Sequence, residues 1–338
     1  MSGGVDSAIA AHLLLEEGYE VIGVYLYLQE HAKEGIEDAR RVCSHLRIPF
    51  QVLEAQELFN ELVIAPFIES YKNGLTPNPC VNCNETVKFK LLIDEANRQG
   101  AAFVATGHYS RIEKNDRYLL RQGLDLSKDQ SYMLYRLKQD QLSRLLFPLS
   151  DYSKDQVREI GRRIELPIFS KKDSQDICFI PSGDHLDFLK KRTSLSQGHF
   201  KLKEKDLGPH KGIEAYTLGQ RRGLGVSHSQ PLYVKSIDEK TGDVYLSHED
   251  ELYSSQVLAG DINFIYKELA IGEKIRLKGK VRYSQSAFDC IVERTDENEI
   301  KADFDQPLRA PTPGQSLVLY KDDYIYGGGI IKKTSISS

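Results

Sequence analysis

The hydrophobic and polar positions change rhythm twice along this chain. Up to about residue 185, helical and strand-like stretches alternate. Residues 5–17 predict a helix, with Ile9, Leu13 and Leu14 on one face and Gly18 as its stop. Residues 20–28 are β-branched and aromatic and read as a strand. Residues 35–46 predict a helix, 50–53 a short strand and 88–99 another helix. Residues 101–105 predict a buried strand ending at Thr106-Gly107-His108. Strands and helices in alternation call for a parallel sheet covered on both faces, with ligands at the carboxyl ends of its strands. From 186 to 248 that rhythm gives way to Gly, His and basic residues, around Gly208-Pro209-His210 and Gly219-Gln220-Arg221-Arg222-Gly223. After 250 come short segments at 274–283, 288–293, 300–304, 316–320 and 324–332, separated by Gly and Pro turns, which predict a small antiparallel β-barrel. The expected domains are therefore 1–185, 186–248 and 249–338.

Composition adds boundaries. A length of 338 residues allows two or three domains, and 40% hydrophobic with 28% charged residues describes an ordinary globular chain. No run of 18 apolar residues and no secretory leader pattern is visible, so no membrane association is expected and the cytosol is the expected compartment. A net charge of −4 does not advertise a nucleic-acid partner. Basic clusters exist at Lys171-Lys172, Lys190-Lys191-Arg192 and Arg221-Arg222, each of which, alone, reads as surface charge. The five cysteines, Cys43, Cys80, Cys83, Cys178 and Cys290, are odd in number, which argues against a disulfide framework and leaves catalysis, metal binding or burial.

The strongest local signal is Ser2-Gly3-Gly4-Val5-Asp6-Ser7. Its glycines let backbone N–H groups approach an anion, its serines offer hydroxyls, and the helix behind it points a positive end at the same place. Asp6 in such a cradle fits a group that orients a cation or the loop itself. The lack of a following Gly-Lys-Ser/Thr excludes a Walker loop. Such loops normally follow a strand, so a strand upstream of Met1 is expected. The segment resembles the PP-loop pyrophosphatase superfamily. The resemblance implies ATP, with Mg2+, cleaved between its α and β phosphates to leave an adenylate on the substrate.

Further motifs narrow the substrate. They are Thr76-Pro77-Asn78-Pro79-Cys80-Val81-Asn82-Cys83-Asn84 with Lys88-Phe89, Ala105-Thr106-Gly107-His108-Tyr109, Gly123-Leu124-Asp125 and Lys128-Asp129-Gln130-Ser131-Tyr132. Lys172-Asp173-Ser174-Gln175-Asp176-Ile177-Cys178-Phe179, Thr217-Leu218-Gly219-Gln220-Arg221-Arg222-Gly223, Val281-Arg282-Tyr283, Thr312-Pro313-Gly314-Gln315-Ser316 and Gly327-Gly328-Gly329 follow. In this order, and across nearly the whole chain, the set resembles the tRNA-specific 2-thiouridylases of the MnmA type. The resemblance implies an α/β protein: a Rossmann-like parallel-sheet PP-loop domain, a small central domain and a C-terminal antiparallel β-barrel. It implies 2-thiolation of the wobble uridine of tRNA. By resemblance, Cys178 carries a persulfide and Cys83 is its partner nucleophile, while Ser2, Gly3, Gly4, Val5, Asp6, Ser7, Leu26 and Gly107 line the ATP site. Asn78, Pro79 and Cys80 meet the target base, and His108, Lys128, Asp129, Gln130, Arg282, Tyr283 and Gln315 contact tRNA. A sulfur-donor protein, a cysteine desulfurase or relay protein, is an implied partner.

The residues themselves suit those roles. Lys128 and Arg282 fit phosphates, and Tyr283 and His108 could stack on or bond a base. Isolated cysteines are ordinarily buried hydrophobes, but the polar runs around Cys83 and Cys178 lead us to expect two exposed loop thiols. Lys171, Lys172 or a helix N-terminus would lower their pKa values. The chain departs from the commonest family pattern at Cys80, where many members carry Asp. The resulting Cys80-x-x-Cys83 with Cys178 has metal-ligand character, so an iron–sulfur cluster on these three cysteines stands beside the persulfide route. Two rival functions are a PP-loop ligase acting on a small molecule without RNA, and a non-catalytic RNA-binding relative. The intact loop and paired cysteines disfavour both.

Overall fold

The structure, a computed structural model, describes residues 1–30, 33–171, 177–180 and 184–332. The elements run α1 (Val5–Glu16), β1 (Gly23–Tyr27), α2 (Lys33–Leu46), β2 (Phe50–Glu54), α3 (Gln56–Phe59), α4 (Ala65–Lys72), α5 (Pro79–Cys83), α6 (Phe89–Gln99), β3 (Val104–Ala105), β4 (Ser110–Lys114), β5 (Tyr118–Gln122), α7 (Gln139–Leu142), β6 (Leu145–Leu146), α8 (Lys154–Arg163) and α9 (His185–Lys190). Strands follow: β7 (His199–Leu202), β8 (Lys205–Pro209), β9 (Tyr233–Ile237), β10 (Val244–Ser247), β11 (Tyr253–Phe264), β12 (Lys274–Lys280), β13 (Phe288–Asp296), β14 (Glu299–Arg309), β15 (Ser316–Lys321) and β16 (Tyr324–Ile331). The chain forms two compact units. The first comprises 1–63, 80–175 and 322–326; the second comprises 64–79, 176–321 and the chain from 327 on.

In the first unit β1 pairs with β2 in parallel, from Gly23↔Phe50 to Tyr27↔Glu54, and β3 pairs in parallel with β6. The expected parallel strands are present, as two separate two-stranded sheets. The strand expected at 101–105 shrinks to two residues, and Phe103 is exposed. Helix α1 is wrapped rather than one-sided: Val5, Ala8, Ile9, Ala10, Ala11, Leu13 and Leu14 are all buried. Its alanines let neighbours approach closely, and it shares a core with Val42, Leu149, Val157, Leu166 and Ile168. A helix with most of its residues packed in the core has little freedom to shift, so the loop at its N-terminus is firmly placed. The hairpin β4–β5, which the hydrophobic pattern did not announce, is antiparallel and continues through Arg121↔Tyr324.

In the second unit β8-β7-β10-β9 form a four-stranded sheet over Phe200, Ile213, Tyr216, Val234, Val244 and Leu246. Beyond it β11-β14-β13-β12-β15-β16 close through β16–β11 pairing into a six-stranded antiparallel barrel, where the alternating segments predicted a small antiparallel barrel from five of these strands. Strand β11 gave no clear signal because its pairing shifts register and Asp261 takes a positive φ of 50°, so its inward and outward positions do not alternate. Among the described residues, no helix is long and apolar enough to cross a membrane.

Candidate functional site

The glycine-rich loop is held by its own serines. The Ser2 N–H donates to Ser7 Oγ at 3.0 Å, the two hydroxyls lie 3.1 Å apart, and Ser7 Oγ donates to the Gly4 carbonyl at 3.1 Å. Gly4 is the N-cap of α1 and no side chain caps that end, so the first-turn N–H groups are available to a phosphate. Asp6 gathers two donors on one oxygen. Lys154 Nζ donates to its Oδ1 at 2.6 Å and Tyr109 Oη donates to the same atom at 2.9 Å. The cation that Asp6 orients is therefore a side chain of this unit, and Lys154 is itself buried. Lys171 Nζ donates to the Gly3 carbonyl at 2.9 Å and to Asp38 at 2.6 Å. Sequence reasoning placed Lys171 beside a cysteine; the structure places it under the loop.

Gly107 lies against this loop. A Cβ there would fall 2.7 Å from the Asp6 carbonyl carbon and 2.8 Å from the Ser7 nitrogen, so only a glycine admits the approach. His108 follows, packed between the Phe89 and Phe147 rings, with Nδ1 2.7 Å from Thr106 Oγ1. Burial, with the Lys88 charge adding to it, holds His108 well below the usual imidazole range, so at neutral pH it is an uncharged ring. Leu26 sits half-buried on β1, opposite Leu53.

The thiols correct the expectation from sequence. Cys83 ends a helix, α5, rather than lying on a loop, and a π-helical turn over Asn84–Lys88 joins α5 to α6. The turn is anchored by Glu85, which accepts from two nitrogens of Arg136, and by Asn84, which donates to the Met133 carbonyl at 3.1 Å. Cys83 is buried, at 8% exposure, and burial pushes its thiol up. Lys88 opposes this with its charge and its backbone N–H but does not win. Cys80 is exposed, and crowding around its sulfur still outweighs the pull of Lys88. Lys88 therefore stands within electrostatic reach of Cys80, Cys83 and His108 together, a link that spacing alone did not reveal.

Of the residues expected to touch RNA, Asp129 is buried and accepts from the Gly123 N–H, the Ser131 N–H, Ser131 Oγ and Gln122 Nε2, which shapes its own loop. Gln130 Oε1 accepts from the Tyr109 N–H at 3.1 Å, and so steadies the tyrosine that holds Asp6. Lys128 is half-exposed.

The second unit carries Asn78, Pro79, Cys178, Arg282, Tyr283 and Gln315. Gln315 Nε2 donates to the Thr76 carbonyl at 2.8 Å, which braces the chain just before the half-exposed Asn78 and the buried Pro79. Cys178 is exposed; its neighbour Phe179 is buried 5.2 Å from the Phe67 and Phe188 rings, which anchors the thiol's backbone. Arg282 Nη2 donates to the Leu218 and Ala310 carbonyls and to Thr312 Oγ1, and Tyr283 beside it is exposed. The run 172–176 lies outside the described residues.

Known proteins match nearly the whole chain. Residues 1–182 match the tRNA methyl transferase HUP domain, 186–248 the tRNA methyl transferase PRC-barrel domain and 254–331 the aminomethyltransferase beta-barrel domain. The tRNA-specific 2-thiouridylase MnmA of Clostridium acetobutylicum is 44% identical over 98% of both chains. That of Clostridium kluyveri is 45% identical over 98% of this chain and 97% of its own. The chain belongs to the tRNA-specific 2-thiouridylase family. As in the expectation from motifs, a HUP domain, a central PRC-barrel domain and a β-barrel succeed one another.

The 2-thiouridylase family implies ATP, and the site fits it: uncapped helix N–H groups, two serine hydroxyls and the buttressed Gly107 surround one place. The iron–sulfur expectation fits less well. Among the described residues, no group of three His, Cys, Asp or Glu side chains is placed to hold a metal ion. The roles of Lys154, Tyr109 and Lys171 around the glycine-rich loop are what reading the sequence missed. Lys154 had a faint signal, a lysine just behind the Ser153 cap of α8, but only the fold brings it 2.6 Å from Asp6.

Proposed function

We propose that this chain is a tRNA sulfurtransferase that uses ATP to replace the 2-oxygen of the wobble uridine with sulfur. One chain of neighbours supports this most directly. Gly107 touches the glycine-rich loop, His108 follows it, and Lys88 reaches His108 and both thiols of the helix that bears Cys83. A methyl transfer would need neither an adenylating loop nor paired thiols beside it.

In the proposed reaction the uracil 2-oxygen attacks the α-phosphorus, the α–β phosphoanhydride bond breaks and pyrophosphate leaves. Loop N–H groups and the Ser2 and Ser7 hydroxyls hold the phosphates in line. Mg2+ accompanies the nucleotide. The terminal sulfur of a Cys178 persulfide then attacks C2 and AMP departs. Cys83, as thiolate, attacks the Cys178 sulfur, breaking the S–S bond; the thiocarbonyl is released and a disulfide remains, to be reduced by an external thiol. The sulfane sulfur comes from a sulfur-donor protein, and we place the reaction in the cytosol. The target base must leave its stack to be reached, with Asn78, Pro79 and Cys80 receiving it. Residues 1–185 supply activation, while 186–248 and 249–338 grip the RNA.

The test is pyrophosphate release and 2-thiouridine formation, each with and without tRNA. tRNA-dependent release with 2-thiouridine in the product supports the reading. Release driven by a small acid in the absence of RNA would instead establish the rival ligase.

A further inference from the structure

We propose that the loop 217–223 of the second unit is a phosphate-binding element for the RNA backbone, with Arg221 and Arg222 as its contacts and Arg282 as the residue that positions it. The proposal rests on the RNA-substrate reading above.

The loop is built to be rigid. The Gln220 N–H donates to the Thr217 carbonyl at 3.0 Å, the Thr217 N–H donates back to Gln220 Oε1 at 3.0 Å, and Gln220 Nε2 donates to the Arg222 carbonyl at 3.0 Å. β9 holds it from one side, through Gly219 N–H to the Val234 carbonyl at 2.8 Å and Val234 N–H to the Gln220 carbonyl at 3.0 Å. Gly219 takes a φ of +80°, and a Cβ there would lie 2.8 Å from the Ala310 Cβ, so the backbone rests directly on the turn after β14. Two arginines brace it from below. Arg282 Nη2 donates to the Leu218 carbonyl at 3.1 Å, the Ala310 carbonyl at 2.9 Å and Thr312 Oγ1 at 2.6 Å. Arg309 donates to the Gly219 carbonyl at 3.2 Å and to Glu249 at 3.1 Å, which neutralises the acid at the base of the loop.

What the loop displays is the opposite of what braces it. Arg221 and Arg222 are exposed, and neither guanidinium has a hydrogen-bond or carboxylate partner among the described residues. In a chain with 49 acidic against 45 basic residues, two adjacent cations without an acid mark a place where an anion binds. The guanidinium fork matches phosphate oxygens two at a time, and a pre-ordered loop lowers the entropic cost of that match. A repeating polyphosphate backbone uses both side chains at once. An acidic protein surface is the competing partner.

The experiment is tRNA binding by anisotropy across a salt series, for the full-length protein and for Arg221→Ala/Arg222→Ala, Arg282→Ala and the triple variant. Loss of two phosphate contacts should flatten the log–log salt slope by roughly 1.4 to 1.8 and weaken binding roughly 10- to 30-fold at about 0.15 M salt. ATP affinity should be unchanged. If Arg282 acts only by positioning the loop, Arg282→Ala should weaken binding alone but add almost nothing in the triple variant, whereas an independent contact or a general loss of structure would add in full. A wild-type slope in the double variant overturns the loop proposal while leaving the RNA reading intact. Additive losses overturn the positioning role. Failure of the wild-type protein to bind tRNA overturns the RNA reading and the proposal with it.

Discussion

Replacing Gly107 with alanine is the sharpest test of how the nucleotide site is assembled. The added Cβ would sit 2.7 Å from the Asp6 carbonyl carbon, 2.8 Å from the Ser7 nitrogen and 2.9 Å from the Asp6 oxygen. These are backbone atoms at the start of a helix packed into the core, so no flexible side chain can absorb the overlap. Carbon atoms are comfortable near 3.5 Å, so the loop and the backbone at Gly107 must separate by about 0.8 Å. A misplacement approaching 1 Å in a positioning element costs up to about 10²-fold in rate. We therefore expect kcat/KM for ATP to fall roughly 10- to 100-fold, equivalent to about 1.4–2.7 kcal/mol of lost transition-state stabilisation. The assay is tRNA-dependent pyrophosphate release, measured on protein whose melting temperature is recorded in parallel. Gly18→Ala is the control. Gly18 has a φ of +85° and nothing within 4 Å of its virtual Cβ. It should cost about 1–2 kcal/mol of stability through backbone strain alone and leave activity on the folded protein unchanged. Wild-type activity in Gly107→Ala would refute the reasoning, because the loop would then not depend on this contact.

Removing the partner of Asp6, by Lys154→Met, should lower adenylation at least tenfold; because Asp6 is one-third exposed, the stability cost should stay near 1–2 kcal/mol, and undiminished pyrophosphate release would break the link. Burial raises the Cys83 thiol and Lys88 lowers it, so Lys88→Met should move its iodoacetamide titration to higher pH and shift the alkaline-rising limb of thiolation the same way; a titration displaced downward would reverse the assignment. Cys178→Ser should abolish 2-thiouridine while leaving ATP and tRNA affinities within a few-fold of normal, read by mass spectrometry of digested tRNA and by binding isotherms. Finally, Cys80→Ala should retain activity within about tenfold while anaerobically purified wild type carries no stoichiometric iron; iron lost together with activity in Cys80→Ala would restore the cluster.

Much of this protein is written locally. Helices α1, α2 and α6, strands β1 and β2, the barrel strands after 274 and the glycine-rich loop at 2–7 are legible because each depends on residues close in sequence: periodic apolar positions, glycines and serines. Ordered motifs along the chain named the family for the same reason. What the chain alone did not decide is which distant groups meet. The irregular strand β11 hid because its register shifts remove the alternation that marks a strand. The polar run around Cys83 suggested an exposed loop, yet helix packing buries that thiol and raises it. Lys154 and Tyr109 stand 148 and 103 positions from Asp6 and share one of its oxygens. Asp129, which the motifs place among the tRNA contacts, is buried and accepts from four donors around its own loop. Local propensity acts over one or two turns of chain, whereas burial, pairing and proton affinity are set by whatever the fold presses against a group. Those neighbours are chosen by the packing of the whole unit.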